Sequence, residues 1–181
     1  EREVSLRSGA AVAEGLRRAG FTVVEQDVRD GSFTLPDAVE AAFPLVHGDF
    51  GEDGGLQTRL EELGLPYVGT RAADMMRSFD KESTHRLLAG AGVRMADWEM
   101  VPLGGRVTLP APLVLKAPRQ GSSIGVEIVR DAAEVPAALE RVRAYGDRVL
   151  VERFVPGVEC TVGFLGEEPL PVIRITPATG N

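Results

Sequence analysis

Residues 113–126 have the sequence LVLKAPRQGSSIGV. The apolar run that ends in Lys116 predicts a short strand, the glycine- and serine-rich stretch predicts a loop, and Val126 begins a second strand over residues 126–129. Two strands joined by so short a loop pair antiparallel, because a parallel pair needs a longer crossover. The segment therefore predicts a hairpin in an antiparallel sheet.

The sequence around this hairpin predicts the remaining parts of an α+β domain. A helix is expected over residues 135–145, with Pro136 in its first turn. Further strands are predicted over residues 98–101, 149–154, 159–165 and 171–175. Strands joined by hairpin-like loops, with few helices between them, are typical of that class.

The N-terminal part has a different pattern. A helix is predicted over residues 4–19, and a second helical stripe begins at Leu56. Short apolar runs predict buried parallel strands at residues 21–24, 43–46 and 66–68. Alternating strands and helices indicate an open parallel sheet covered by helices. A linker is expected near residues 69–79, and a helix over residues 80–89.

Composition argues against several classes of protein. The 181 residues carry a formal net charge of -7, and 44% of them are hydrophobic. No apolar stretch approaches the roughly 18 to 20 residues of a membrane-spanning helix. Basic residues are scattered, whereas phosphate-backbone binding needs them clustered. We therefore expect neither a membrane nor a nucleic acid as partner. A single cysteine and no signal-peptide pattern make the cytoplasm the expected compartment.

The hairpin loop has the chemistry of a phosphate-binding loop. Glycines allow backbone N–H groups to converge on an anion, the hydroxyls of Ser122 and Ser123 add donors, and Lys116 supplies a positive charge. It is not a Walker A loop, because the lysine precedes the glycines and the loop leads into a strand. The alternative is a mobile Gly/Ser hairpin with an exposed lysine.

A second candidate loop, residues 47–57 (HGDFGEDGGLQ), follows a predicted strand and leads into a helix. Ligands bind at the carboxyl ends of strands in open parallel sheets, so this loop is well placed for binding. The alternative is a tight glycine turn in which Glu52 and Asp53 cap the helix and His47 is an ordinary hydrogen-bonding residue.

A third candidate, residues 149–159 (VLVERFVPGVE), is a strand that runs into a Pro-Gly bend. Its backbone could meet an adenine edge and Glu159 a ribose, or Glu152 and Glu159 could be ordinary solvent-facing residues. Elsewhere, Asp80 is a good N-cap and His85 is predicted to be an exposed helix residue. Cys160 is predicted to be a core thiol.

Together these motifs resemble the D-alanine:D-alanine ligases of the ATP-grasp superfamily. The resemblance covers essentially the whole chain. It rests on segments that occur in the family's order, namely residues 1–6 (EREVSL), 47–57, 65–69 (LPYVG), Asp80-Lys81, Lys116 with residues 121–125, and residues 152–159. It implies an α/β protein with an open parallel-sheet, Rossmann-like N-terminal domain over residues 1–72. A central ATP-grasp subdomain over residues 73–152 and the start of a C-terminal one over residues 153–181 would follow.

The resemblance also implies an activity, the ATP-dependent joining of two D-alanines through an acyl phosphate for peptidoglycan precursor synthesis. It assigns Glu1 to the ammonium of the first D-alanine, His47 to a place beside that substrate, and Ser122 to orienting Glu1. The residues it implies for ATP are Lys81, Lys116, Gly121, Ser122 and Ser123 at the phosphates, Glu152, Arg153 and Val155 at adenine, and Glu159 at ribose. A homodimer is the family precedent.

The chain departs from the family pattern at two positions, because Arg153 replaces a usual lysine and Thr58 replaces a smaller residue. We also expect the chain to be an internal fragment that is inactive alone. The family's closing loop, its transition-state arginine and its ligands for Mg²⁺ or Mn²⁺ would lie after residue 181, and its glycine-rich turn before Glu1. Two alternatives stay open: a ligase that uses D-lactate or D-serine as second substrate, and a non-catalytic ATP-binding module.

Overall fold

The structure is a computed structural model that describes residues 1–28, 32–36, 38–102 and 104–176. The helices are α1 (Arg2–Arg18), α2 (Gly55–Glu62), α3 (Ala72–Phe79), α4 (Lys81–Gly90) and α5 (Val135–Arg143). The strands are β1 (Trp98–Pro102), β2 (Leu113–Lys116), β3 (Val126–Val129), β4 (Arg148–Arg153), β5 (Cys160–Thr161), β6 (Phe164–Leu165), β7 (Glu168–Pro169) and β8 (Ile173–Arg174). A short 3₁₀ helix, Ala132–Glu134, precedes α5.

The predicted hairpin and its antiparallel sheet are confirmed. The main sheet has four strands in the order β1-β4-β2-β3, and every pair in it is antiparallel. Side chains alternate between the two faces of each strand. One face packs against α5 and forms the core. The core residues are Val101, Leu113, Leu115, Ala117, Val129, Ala138, Leu139, Val142, Val149 and Val151.

The opposite face of the sheet carries charged side chains. Lys116 lies opposite Leu150 in the β2–β4 register, and Val114 lies opposite Glu152. Helix α4 lies against this face, where its His85 imidazole contacts Glu152. The strand alternation thus separates an apolar core on one side from a polar site on the other.

The N-terminal part is less regular than predicted. Helix α1 is present, but the residues described at 21–24 and 43–46 form no strand. Only one parallel bridge, Ala42 with Tyr67, is found there among the described residues. Phe21 and Val24 are 63% and 60% exposed. Neither residue has a ladder partner in the described part of the chain. An apolar run becomes a strand only where another segment accepts its hydrogen bonds.

The predicted linker contains a helix. Residues 72–79 form α3, and its first N–H, on Ala72, donates to Glu61 Oε1 at 3.0 Å. The Tyr67 hydroxyl donates to the same oxygen at 2.7 Å. The flanking glycine at residue 69 favours a loop, but the alanines and methionines that follow are good helix formers. Glu61 therefore holds the connection between α2 and α3 at two points, Tyr67 and Ala72.

The C-terminal strands form two small antiparallel pairs, β5 with β8 and β6 with β7. The core prediction for Cys160 is wrong in this structure, because Cys160 is exposed. Its neighbours Val158 and Phe164 are exposed as well, at 58% and 66%. No helix of the described residues is long and apolar enough to span a membrane.

Candidate functional site

The two lysines of the chain, Lys81 and Lys116, lie in one site. Lys81 begins α4, which Asp80 caps by accepting from the Ser83 N–H at 2.9 Å. The Lys81 N–H donates to the Pro118 carbonyl at 3.0 Å, and its Nζ donates to the Gln120 carbonyl at 2.5 Å. The start of α4 is therefore attached to the loop between β2 and β3.

Lys116 reaches the same place from the end of β2, where its Nζ forms an ion pair with Glu152 Oε2. Glu152 is only 9% exposed, so the expectation of an ordinary solvent-facing residue is wrong. Burial acts to raise the pKa of Glu152, but hydrogen bonds from Lys116 and His85 outweigh it and hold the pKa below 4.5. Glu152 is therefore a carboxylate at neutral pH.

Lys81 has a lowered pKa. Burial is the largest cause, and the positive charge of Lys116 adds to it. The carboxylates of Glu152 and Asp80 offset part of this effect. Two ammonium groups held in one site are suited to bind an anion with several negative charges.

His85 is a member of the site that the sequence pattern missed. Its side chain is 14% exposed, so the prediction of an exposed helix residue is wrong. Its Nε2 lies 2.7 Å from Glu152 Oε1, and its Nδ1 lies 2.7 Å from the Lys81 carbonyl oxygen. The Trp98 ring packs edge-on against it at 5.2 Å between centroids. Its position four residues after Lys81, on the same helix face, is the signal that could have found it.

The loop between β2 and β3 has an uncommon backbone. Ser122 and Ser123 have φ values of 52° and 60°, a left-handed conformation that non-glycine residues rarely adopt. A turn hydrogen bond from the Ile124 N–H to the Gly121 carbonyl closes this segment at 2.9 Å. Such residues concentrate at ligand-binding segments, and turns of this kind present N–H groups to anions. Both serine side chains are exposed.

The second loop, residues 47–57, is held by its own acidic side chains. Glu52 Oε2 accepts from the Gly48 N–H at 2.8 Å, and Glu52 Oε1 lies 3.6 Å from His47 Nδ1. Asp53 Oδ1 accepts from the Gly55 N–H at 2.9 Å, but the N-cap position of α2 is Gly54 and has no side-chain cap. Glu52 does not cap the helix but closes the loop, a role that the sequence did not reveal.

The two loops and the N-terminal residue lie side by side. A Cβ at Gly121 would be 3.5 Å from Glu52 Oε2, which is van der Waals contact. The Glu1 carboxylate lies so close to Gly48 that a Cβ there would be 2.0 Å from its Oε2, and Gly48 also has a φ of +80°. Within the described residues, no hydrogen bond joins Glu1 to Ser122. The backbone N–H of His47 donates to Ser5 Oγ on α1 at 3.0 Å.

Of the predicted adenine and ribose residues, Glu152 is buried within β4, whereas Arg153 at the end of that strand, Val155 and Glu159 are exposed. The Arg153 N–H donates to the Asp97 carbonyl at 2.9 Å, and its guanidinium lies 3.6 Å from the Asp97 carboxylate. Val155 is 66% exposed. Glu159 is exposed, and its carbonyl accepts from Ile175 at 2.9 Å. The structure thus brings the phosphate candidates together with Glu152 and leaves Arg153, Val155 and Glu159 open to solvent.

Sequence comparison decides the family. The family model described as D-ala D-ala ligase C-terminus matches residues 89–180, and the one described as D-ala D-ala ligase N-terminus matches residues 26–70. The chain belongs to the D-alanine–D-alanine ligase family. It is 44% identical to the D-alanine--D-alanine ligase of Desulforudis audaxviator, over 100% of this chain and 63% of that protein. It is 42% identical to that of Syntrophotalea carbinolica, over 99% of this chain and 61% of that protein.

Solved structures of D-alanine–D-alanine ligases have the same fold. The Bacillus anthracis enzyme matches 76% of this chain with 32% identity and a TM-score of 0.71, over 47% of its own length. The same enzyme complexed with ATP matches 77% of this chain, and 49% of its own, with 30% identity and a TM-score of 0.69. The expected α/β, ATP-grasp class is thereby confirmed. The chain spans about three fifths of the length of the curated ligases that it matches.

The residues described here do not form a metal site. Among them, no group of three or more His, Cys, Asp or Glu side chains is arranged to hold a metal ion. The carboxylates of the site are engaged instead with lysines, histidine and backbone N–H groups.

Proposed function

We propose that this chain is the nucleotide- and first-substrate-binding part of an ATP-dependent D-alanine–D-alanine ligase. The observation that carries the proposal is the convergence of Lys81, Lys116 and the Ser122–Ser123 turn, which together make a site for a polyphosphate. Family membership supplies the reaction class. The similarity to D-alanine–D-alanine ligases and to the ATP complex of the Bacillus anthracis enzyme supports it.

In this proposal Lys81 and Lys116 bind the phosphate oxygens of ATP. Each ammonium has an oxygen partner within the chain, namely the Gln120 carbonyl for Lys81 and the Glu152 carboxylate for Lys116. Phosphate oxygens would join or replace those partners. Gly121, Ser122 and Ser123 cover the phosphates with backbone N–H groups and hydroxyls, which bind negative charge in a fixed geometry.

The first D-alanine is proposed to lie beside Glu1 and His47. Glu1 would hold its ammonium by a charge-assisted hydrogen bond. Ser122 would orient Glu1 when substrates are bound. The backbone of Glu152, Arg153 and Val155 would meet adenine, and Glu159 would bind the ribose hydroxyls.

The reaction then follows from positioning. An oxygen of the first D-alanine carboxylate bonds to the γ-phosphorus as the bond to the ADP oxygen breaks, which gives an acyl phosphate. The amine of the second D-alanine bonds to the acyl carbon, loses a proton, and inorganic phosphate leaves. The site residues of this chain hold the reacting groups and neutralise their charge, which is the main contribution of proteins to phosphoryl transfer.

Several features of the whole protein belong to the same proposal. They are a role in peptidoglycan precursor synthesis, a cytoplasmic location, a homodimer and a requirement for Mg²⁺ or Mn²⁺. The proposed domain limits are residues 1–72, 73–152 and 153–181. Preference for D-lactate or D-serine as second substrate is the nearest alternative. A non-catalytic ATP-binding module is the other, and Glu1 argues against it because ATP binding alone has no use for that carboxylate.

The test is ADP release by the whole gene product with ATP, magnesium and D-alanine, repeated with D-lactate or D-serine added. ADP release that depends on D-alanine alone supports the proposed ligase. Faster release with an added partner, with a mixed product by mass spectrometry, assigns the alternative substrate. ATP binding without ADP release under any of these conditions contradicts the ligase and supports the binding module.

A further inference from the structure

His85 lies between two hydrogen-bond acceptors. Its Nδ1 is 2.7 Å from the Lys81 carbonyl oxygen, and its Nε2 is 2.7 Å from Glu152 Oε1. A carbonyl oxygen can only accept, so Nδ1 must donate to it. A carboxylate can also only accept, so Nε2 must donate as well.

A neutral imidazole has one N–H and cannot satisfy both contacts. Either His85 is an imidazolium with two N–H groups, or Glu152 is protonated and donates to Nε2. The second possibility conflicts with the other oxygen of Glu152, which is paired with the Lys116 ammonium. The geometry therefore favours the imidazolium and the carboxylate.

We propose that His85 is a positively charged positioning residue, whose imidazolium holds Glu152 Oε1 and thereby leaves the Lys116 charge available to ATP phosphates. Glu152 has one negative charge to share between His85 and Lys116. A charged His85 neutralises part of the Glu152 carboxylate, so Lys116 can exchange Glu152 for a phosphate oxygen with a smaller loss of electrostatic energy. A neutral imidazole with its N–H on Nδ1 would turn the Nε2 lone pair toward Oε1, and Lys116 would then be the one cation paired with the carboxylate in this contact.

Other charged groups surround this network. On α4 itself they are Lys81, Glu82 and Arg86. Glu82 pairs with Arg86 and with Arg148 of β4, and the Arg86 guanidinium stacks on the Trp98 ring at 5.6 Å. On the sheet they are Glu152 from β4 and Lys116 from β2. Glu152 is the carboxylate in direct contact with the imidazole.

The first test needs no catalysis and therefore stands apart from the proposed function. Two-dimensional ¹H–¹⁵N NMR of the ¹⁵N-histidine-labelled gene product at pH 7 reports whether each ring nitrogen carries a proton, with His85 assigned by the loss of its signals in His85→Gln. We expect both nitrogens to be protonated. A signal typical of an unprotonated nitrogen at either position would overturn the proposal.

The second test rests on the proposed function and uses steady-state kinetics with ATP at pH 7. In His85→Gln, which keeps one donor but no charge, the KM for ATP should be several-fold higher than in the unsubstituted protein, with kcat changing less. Equal KM values for ATP in both proteins would overturn the positioning role. If no ADP release is found at all, ATP affinity from calorimetry replaces the KM, so failure of the ligase assignment stays distinguishable.

Discussion

Lys116→Met tests the phosphate site most directly. Methionine has a similar length and packs as well against apolar neighbours but has no charge, so the change removes the ammonium and little else. A charge-assisted hydrogen bond contributes about 1.5 to 3 kcal/mol. Since 1.4 kcal/mol corresponds to a factor of ten, we expect kcat/KM for ATP to fall about 10- to 150-fold.

The same substitution leaves Glu152 with His85 as its remaining charged partner. Glu152 is 12% exposed at its side chain and Lys116 is 30% exposed, so the lost contact is largely shielded from water. We expect the free energy of unfolding to fall by about 1 to 3 kcal/mol, which is the cost of a poorly satisfied buried group. The folded state should persist, because the core lies on the other face of the sheet.

The assay is coupled ADP release over a range of ATP concentrations, together with urea unfolding of each variant. Arg94→Met is the matched control, because Arg94 is exposed and has no side-chain partner in the described part of the chain. It should leave both quantities unchanged. If Lys116→Met lowers the stability as expected but changes kcat/KM for ATP by less than about threefold, Lys116 only supports the fold and its assignment to phosphate is wrong.

Three further predictions concern neighbouring parts of the site. Glu1→Gln should raise the KM for the first D-alanine and leave ATP affinity unchanged in calorimetry; equal loss of both would indicate misfolding. Gly125→Val should destabilise the hairpin, because a Cβ there would lie 2.8 Å from Ala117 Cβ and 2.9 Å from the Tyr145 ring, and because Gly125 has a φ of +64°. An unchanged melting temperature would contradict this packing. Glu152→Gln should reduce the loss of stability in acid, because a carboxylate with a lowered pKa stabilises the fold above its unfolded pKa and loses that contribution as the pH falls through the folded value. Urea unfolding at pH 7 and pH 4 measures the effect, and an equal fall in the free energy of unfolding in both proteins would refute it.

Strands and helices with a strong local pattern could be predicted residue by residue. Strands β2 and β3 begin and end where the apolar runs do, and α5 begins at the predicted residue. The antiparallel pairing also follows from the short connection. These features depend on side-chain alternation and loop length, which are properties of neighbouring residues.

Features that need a distant partner could not be predicted. The apolar run at residues 21–24 has the composition of a strand but no ladder partner among the described residues. Residues 72–79 fall in the predicted linker but form α3, whose start is held by Glu61. In both cases the outcome depends on which backbone groups find a partner in space.

The candidate site divides in the same way. The sequence by itself determined that a lysine ends a strand before a Gly-Ser-Ser loop, and the order of its motifs was sufficient for the family resemblance. Only the tertiary structure decided that Lys81, Lys116, His85 and Glu152 share one network, because His85 and Glu152 are 67 positions apart in the chain. Their contact arises from the packing of α4 against one face of the sheet. Burial there places these charged and polar groups in direct contact, and no local pattern in the sequence records that contact.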